Sequence, residues 1–235
     1  MEKTNVLYEG KAKIVYETNE KDKLIIYFKD DATAGNGEKK GTINGKGVMN
    51  NKMSEYFFKL LKTNGIESHF IETLNDREML VKTLRIIPLE VIVRNVAAGS
   101  LAKRLGLAEG TPLKTPVLEY CYKNDELGDP LLNRYHIMVL DLARVNELDE
   151  IEHISFCVNQ ILLNFLKSKN INLIDFKLEF GRDDNDKIIL ADEISPDNCR
   201  FWDMTTGEKL DKDRFRHDMG GVEEAYQEML NRVTL

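Results

Sequence analysis

The apolar positions of the chain change period several times, and each change marks an element. Residues 6–16, VLYEGKAKIVY, and 23–29, KLIIYFK, are β-branched and aromatic runs separated by the polar turn NEKD, which predicts two strands of a hairpin. Residues 30–47, DDATAGNGEKKGTINGKG, have no apolar period and predict a long loop, of a kind that is usually functional or disordered. From 48 to 63 the period becomes helical, with Met49, Met53, Tyr56, Phe57, Leu60 and Leu61 on one stripe and Gly65 as a stop. Strands are predicted at 68–73 and 78–85.

Pro88 marks a joint, followed by the β-branched run LEVIVR and then AAGSLAKRLGL, where Ser100 is the predicted N-cap of a short helix. Residues 111–133 carry Pro112, Pro116 and Pro130 and predict irregular surface structure, and 134–145 is an apolar stretch spaced by Asp and Arg. The clearest helix is 147–168, with Leu148, Ile151, Ile154, Val158, Ile161, Leu162, Phe165 and Leu166 on one face and Asn146 as its predicted cap. INLIDFKLEFG, the turn RDDND and KIILADE form a second hairpin, and a final helix is predicted from about 222 to 232. The pattern is α+β: a small antiparallel β-rich lobe over 1–85, a larger lobe over 86–235, and a joint near Ile86–Leu89. Bilobal chains tend to bind ligands in the cleft between lobes.

Composition narrows the function classes. The chain of 235 residues is 42% hydrophobic and 31% charged with a net charge of −7, which disfavours non-specific binding to nucleic acid or anionic membrane. Cys121, Cys157 and Cys199 show no CxxC spacing, so neither a disulfide framework nor a zinc knuckle is expected, and a reducing cytoplasm fits. MEKTNVLYEGK has no apolar signal-peptide segment, and no apolar run approaches a membrane span.

Candidate chemistry lies in a few segments. Alternation along IDFKLEFG puts Asp175, Lys177 and Glu179 on one face and Phe176, Leu178 and Phe180 on the other. Such a row is open between a solvated surface and a site. The returning strand brings Asp192 and Glu193 near it, and crowded carboxylates of this kind suit Mg²⁺. Parity leaves open which of the two acids faces the metal. In VIVRNVAAGS, Arg94 near a strand end and Ser100 at a helix start suit a phosphate monoester, the plain alternative being a cap and a surface arginine. In YEGKAK, Lys11 and Lys13 on one face of the first strand are open between nucleotide-phosphate contacts and a solvated edge strand. His69, His136, His153 and His217 show no metal-ligand spacing and are read as surface or core. Asp197 and Asp203 are assigned turn or capping roles by default.

Four motifs, YEGKAK, RNVAAGSLAKRLG, DFKLEFG and DEISPDNCRFWD, in this order, closely resemble the phosphoribosylaminoimidazole-succinocarboxamide synthase (SAICAR synthetase) family. The resemblance runs from Tyr8 to the DKDRFRHDMGG segment. It implies a two-lobe fold similar to ATP-grasp and kinase-like enzymes. The implied activity joins L-aspartate to the carboxylate of carboxyaminoimidazole ribonucleotide (CAIR) at the expense of ATP.

The resemblance also implies roles. ATP would meet Ala12, Val15, Leu24 and Ile86, with Lys11, Lys13, Lys82 and Lys123 near its phosphates and Glu179 beside it. Glu179 and Asp192 match magnesium ligands. Arg94, Ser100 and Arg200 match residues holding the CAIR phosphate, and Asp129 and Arg216 match further cleft positions. Asp175 and Lys177 match residues near the reacting groups, Asp175 as the candidate base. Asn36 stands where some relatives carry Asp. A homodimer is the implied assembly. Two other readings are a small-molecule kinase, which the missing HRDxxxxN loop disfavours, and a non-catalytic ribonucleotide sensor, which has no need of lysines and acids for ATP and metal.

Overall fold

The computed structural model describes residues 1–34 and 37–235, so Asn36 lies outside the described residues. The strands run β1 (Lys3–Glu9), β2 (Lys13–Thr18), β3 (Lys23–Phe28), β4 (Asp31–Ala34) and β5 (Lys39–Thr42), followed by helix α1 (Lys46–Thr63). Next come β6 (Phe70–Asn75), β7 (Glu78–Lys82), β8 (Arg85–Ile86), β9 (Leu89–Val96), α2 (Gly99–Leu105), β10 (Pro112–Tyr122) and β11 (Leu131–Leu132). The chain ends with α3 (Arg134–Val139), α4 (Val145–Ser168), β12 (Ile171–Arg182), β13 (Ile188–Ala191), β14 (Cys199–Asp203), α5 (Asp213–Arg216) and α6 (Val222–Thr234).

Two antiparallel sheets organise these elements. One has the order β1-β2-β3-β7-β6; the other runs β11-β10-β9-β12-β13, with β14 and β8 also paired to β12. The twelve-residue β12 is the spine of the second sheet: β14 flanks its first half, β13 its second, and β9 its other side. Helix α4 buries Leu148, Ile151, Val158, Leu162 and Leu166, and helix α1 buries Met53, Phe57, Phe58 and Leu61. A single apolar cluster joins these helices to both sheets and to Tyr226 and Met229 of α6.

Several expectations are corrected. Residues 6–16 are not one strand: Gly10–Ala12 is a turn, closed by Gly10 N–H donating to the Lys13 carbonyl at 2.8 Å, so Lys11 and Lys13 do not share a strand face. The expected loop 30–47 contains the β4–β5 hairpin, and the strand expected at 78–85 splits into β7 and β8. The irregular segment expected at 111–133 holds β10, whose pairing to β9 is broken between Pro112 and Val117, around Pro116. Proline lacks the N–H a ladder needs, which explains both the break and the misreading. Ser100 is not an N-cap, a position Ala98 holds; α4 starts at Val145, where Glu147 accepts from the Arg144 N–H at 2.6 Å, so Asn146 does not cap it.

Candidate active site

A cleft of about 970 Å³ lies between residues of the two sheets. Val15, Leu24, Ile26, Val81, Leu84 and Ile86 form an apolar wall at one part of it, with Ala12 and Lys82 alongside. The rest is lined by charge, and the sheet registers decide which charges meet.

At one end, lysines face acids. The Lys177 ammonium sits 2.6 Å from Glu179 and 2.9 Å from Asp192, bridging the two, with Glu90 at 3.5 Å. Lys123 donates to the other Glu179 oxygen at 2.5 Å. Lys13, the first residue of β2, pairs with Asp192 and lies 3.0 Å from Glu193. Burial opposes the charge on Lys13 and Lys177, but the adjacent carboxylates outweigh it and hold both pKa values above the ordinary range. Burial likewise opposes ionised Asp192, and Lys13, Lys177 and Lys123 hold its carboxyl well below the carboxylate range. Glu90 differs: burial raises its pKa, and Lys177 offsets this only in part.

Backbone geometry explains why parity could not choose between Asp192 and Glu193. Asp192 follows the end of β13 with φ +65°, a left-handed conformation that interrupts alternation. Both side chains therefore reach Lys13. Beneath them His69 donates from Nε2 to the Asp192 carbonyl at 3.0 Å and packs edge-on against Phe58. Burial holds the His69 pKa down at about 4, keeping the ring neutral.

At the other end the cations are arginines, and they are fixed by register. Asp175 on β12 stands opposite Arg94 of β9 on one side and Arg200 of β14 on the other. Arg94 donates from Nη1 to Asp175 at 2.8 Å, from Nε to Glu119 at 2.7 Å and from Nη2 to Ser100 Oγ at 3.2 Å. Arg200 donates from Nη1 to both Asp175 oxygens, at 3.1 and 2.8 Å, and from Nε to Asp213 at 2.8 Å. Asp213 also accepts from Arg216 at 2.6 Å. Arg200 Nη2 passes over Gly99, where a Cβ would come within 2.7 Å; with φ +52° as well, this position suits only glycine.

Every expected site residue except Ser100 lines the cleft, and Ser100 reaches it through Arg94. Lys11 pairs with Asp125 at 2.8 Å on the rim, and Asp129 takes φ +49° and accepts from the Asn124 N–H at 2.9 Å. Sequence reading missed Glu90, Glu119, Lys212 and Asp213. Only DKDRFR, already within a matching segment, offered a signal for the last two. Asp197, given a turn role by default, is instead buried with Lys46 at 2.7 Å and the Tyr226 hydroxyl at 2.7 Å. Asp203 does take a turn role, accepting from the N–H groups of Thr205 and Thr206 at 2.7 Å each.

The donor set fits a divalent cation shared with a ligand. Glu179 and Asp192 already converge on one cation, the Lys177 ammonium, so one ion can reach both. Among the described residues there is no group of three or more His, Cys, Asp or Glu in metal-holding geometry. Two carboxylates, completed by water and phosphate oxygens, is how Mg²⁺ is commonly held.

A cleft that keeps lysine-facing acids apart from register-fixed arginines has the charge layout of an enzyme that acts on anionic ligands. Which enzyme follows from its relatives. Residues 6–233 match the SAICAR synthetase family, and the chain belongs to it. It is 64% identical over 234 residues to a phosphoribosylaminoimidazole-succinocarboxamide synthase of Clostridium novyi, covering 100% of this chain and 99% of that one. The crystal structure of the synthase from Ehrlichia chaffeensis superposes with a TM-score of 0.96 at 46% identity, covering 97% and 98%. A type-2 SAICAR synthetase in complex with ADP superposes with a TM-score of 0.94 at 53% identity, covering 97% of each.

Proposed function

We infer that the chain catalyses its family's reaction, joining L-aspartate to the CAIR carboxylate with ATP to give SAICAR, ADP and phosphate in purine biosynthesis. The observation that carries this reading is the Lys177 ammonium bridging Glu179 and Asp192, two residues along β12 from Asp175 of the Arg94–Asp175–Arg200 row. Residues 1–85 act as the ATP-covering lobe and 86–235 as the substrate and metal lobe. The adenine lies against Ala12, Val15, Leu24 and Ile86. Lys11, Lys13, Lys82 and Lys123 meet the phosphates, and a relative solved in complex with ADP supports the use of an adenine nucleotide. Glu179 and Asp192 hold Mg²⁺, which when bound supplies charge neutralisation on the phosphates. Arg94, Ser100 and Arg200 hold the ribonucleotide phosphate, with Asp129 and Arg216 as further contacts.

The chemistry follows from a carboxylate being a poor electrophile. One CAIR carboxylate oxygen attacks the γ-phosphorus and ADP leaves. The neutral aspartate amine then attacks the acyl carbon, and phosphate departs with that oxygen, taking up the proton the amine nitrogen loses. Lys177, held protonated by its acids, stabilises the negative charge that develops as the acyl phosphate forms and collapses. Asp175 is better suited to positioning than to proton transfer: both its oxygens are engaged by guanidinium groups, so it fixes Arg94 and Arg200 rather than serving as the base.

The test is a coupled ADP-release assay with CAIR, L-aspartate and MgATP, omitting one component at a time. Sustained ADP release should stop without aspartate; an unchanged rate would overturn the ligase reading in favour of a kinase. A cytoplasmic homodimer belongs to the same proposal, and light scattering checks the dimer.

A further inference from the structure

Among the described residues, Lys212 stands out as the sheltered cation of the cleft with no carboxylate at hydrogen-bond distance. Lys13, Lys177, Arg94 and Arg200 each have a carboxylate within hydrogen-bond distance. The nearest carboxylate oxygen to the Lys212 ammonium is Asp197 Oδ2, at 4.0 Å, although the side chain is only 12% exposed. That oxygen already accepts from Lys46 at 2.7 Å, and Asp197 Oδ1 accepts from Tyr226 at 2.7 Å. Burial lowers the Lys212 pKa; Asp197 and Glu193 offset this in part, while Arg216 and Lys46 push it further down. A desolvated cation without a hydrogen-bonded counter-ion is costly, and an incoming anion relieves that cost.

The backbone that carries this side chain is held in place. The Lys212 N–H donates to the Pro196 carbonyl at 3.1 Å, and the Lys212 carbonyl accepts from the Arg216 N–H at 3.0 Å. Its charged neighbours are Asp197, Glu193, Arg216 and Lys46. Glu193 in turn faces Lys13 at 3.0 Å, at the end of the cleft assigned above to ATP phosphates. Lys212 therefore stands between the lysine end and the arginine end, on the span an attacking amine must cross. The phosphate of the ribonucleotide already has a forked arginine pair, whereas a single lysine offers one compact charge suited to a carboxylate.

We propose that Lys212 is the binding residue for a carboxylate of the amino-acid co-substrate, anchoring the dicarboxylate so that its amine faces the activated carbonyl. This rests on the ligase reading above. The experiment compares wild type, Lys212→Met and Lys212→Arg by steady-state ADP release and by thermal melting. In Lys212→Met the KM for L-aspartate should rise about 10- to 100-fold, as expected for loss of a charged hydrogen bond, with the KM values for CAIR and ATP changed less than about threefold. Lys212→Arg should recover part of the loss. Succinate should inhibit wild type competitively against aspartate and inhibit Lys212→Met at least about tenfold more weakly. Because the lysine is buried without a partner, Lys212→Met should melt no lower than wild type. An unchanged aspartate KM, or a KM increase for CAIR instead, would overturn the assignment; so would a lowered melting temperature together with equal succinate inhibition in wild type and Lys212→Arg at an unchanged aspartate KM. Wild type lacking any aspartate-dependent ADP release would instead defeat the underlying ligase reading.

Discussion

The two ends of the cleft hold charge in different ways. At one end, lysine ammonium groups occupy the oxygens of Glu179 and Asp192, and each is a flexible point charge that an arriving cation or phosphate can displace. At the other, guanidinium forks are locked by strand register and by carboxylates on either side, Arg94 by Glu119 and Asp175, Arg200 by Asp175 and Asp213. On the proposed function, the contrast means that one end exchanges ions during turnover while the other keeps an anion site in fixed geometry. The same residue type, a carboxylate, serves both: at the lysine end it pairs with ammonium groups, and at the arginine end it holds guanidinium groups in place.

Breaking the lysine end should have the largest effect. Lys177→Met removes the bridging charge and leaves Glu179 and Asp192 facing each other, so kcat for ADP release should fall by about 10²- to 10³-fold, the range seen when one preorganised transition-state donor is lost. A change confined to the KM for CAIR would place Lys177 with the arginine end instead.

The support beneath the lysine end should show in pH dependence. His69 is buried and its pKa lies at about 4. In the unfolded chain the ring takes up a proton near its ordinary value of about 6.5. Between these values the unfolded state binds more protons than the folded one, so stability is fully present above pH 6.5 and is lost as pH falls towards 4. The loss amounts to roughly 3 kcal/mol. Denaturant unfolding from pH 7 to 4 measures it, and His69→Gln should flatten that part of the profile.

Sharpening the arginine end calls for a milder change. Arg94→Lys keeps the charge but loses the fork that spans Glu119, Asp175 and Ser100. The KM for CAIR should rise about 10- to 50-fold with little change in the KM for ATP. Equal effects on both substrates would erase the distinction between the ends. The smallest effect is expected at Tyr226→Phe, which removes the hydroxyl donating to Asp197 from α6, far along the chain. Stability should fall by about 1 kcal/mol in denaturant unfolding, with ADP release nearly unchanged.

Much of the lysine end was legible in the sequence because it is local. Alternation along DFKLEFG predicts the shared face of Asp175, Lys177 and Glu179, and the hairpin to Asp192 is short in sequence. The choice between Asp192 and Glu193 was not legible, because a positive φ resets the alternation and no residue pattern announces it at an aspartate. The scaffolding of the arginine end was hidden for another reason. Arg94 and Asp175 are separated by 81 positions, and Asp175 meets Arg94 and Arg200 only once β9, β12 and β14 are in register. The long helices α1, α4 and α6 were read to within a few residues, since a stripe such as Leu148–Leu166 is buried by any sheet it packs on, whereas the short α3 and α5 were not read as helices. Strand β10 was missed because Pro112 and Pro116 look like loop residues, yet Pro112 pairs with Val96 and the pairing skips only the stretch around Pro116.

The account turns on the cleft activating the CAIR carboxylate as an acyl phosphate. Isotope transfer tests this most directly. With CAIR labelled with ¹⁸O in its carboxylate, each turnover should deliver one labelled oxygen to the released phosphate, read by the ³¹P chemical-shift displacement. Phosphate free of label, formed while SAICAR accumulates, would contradict it.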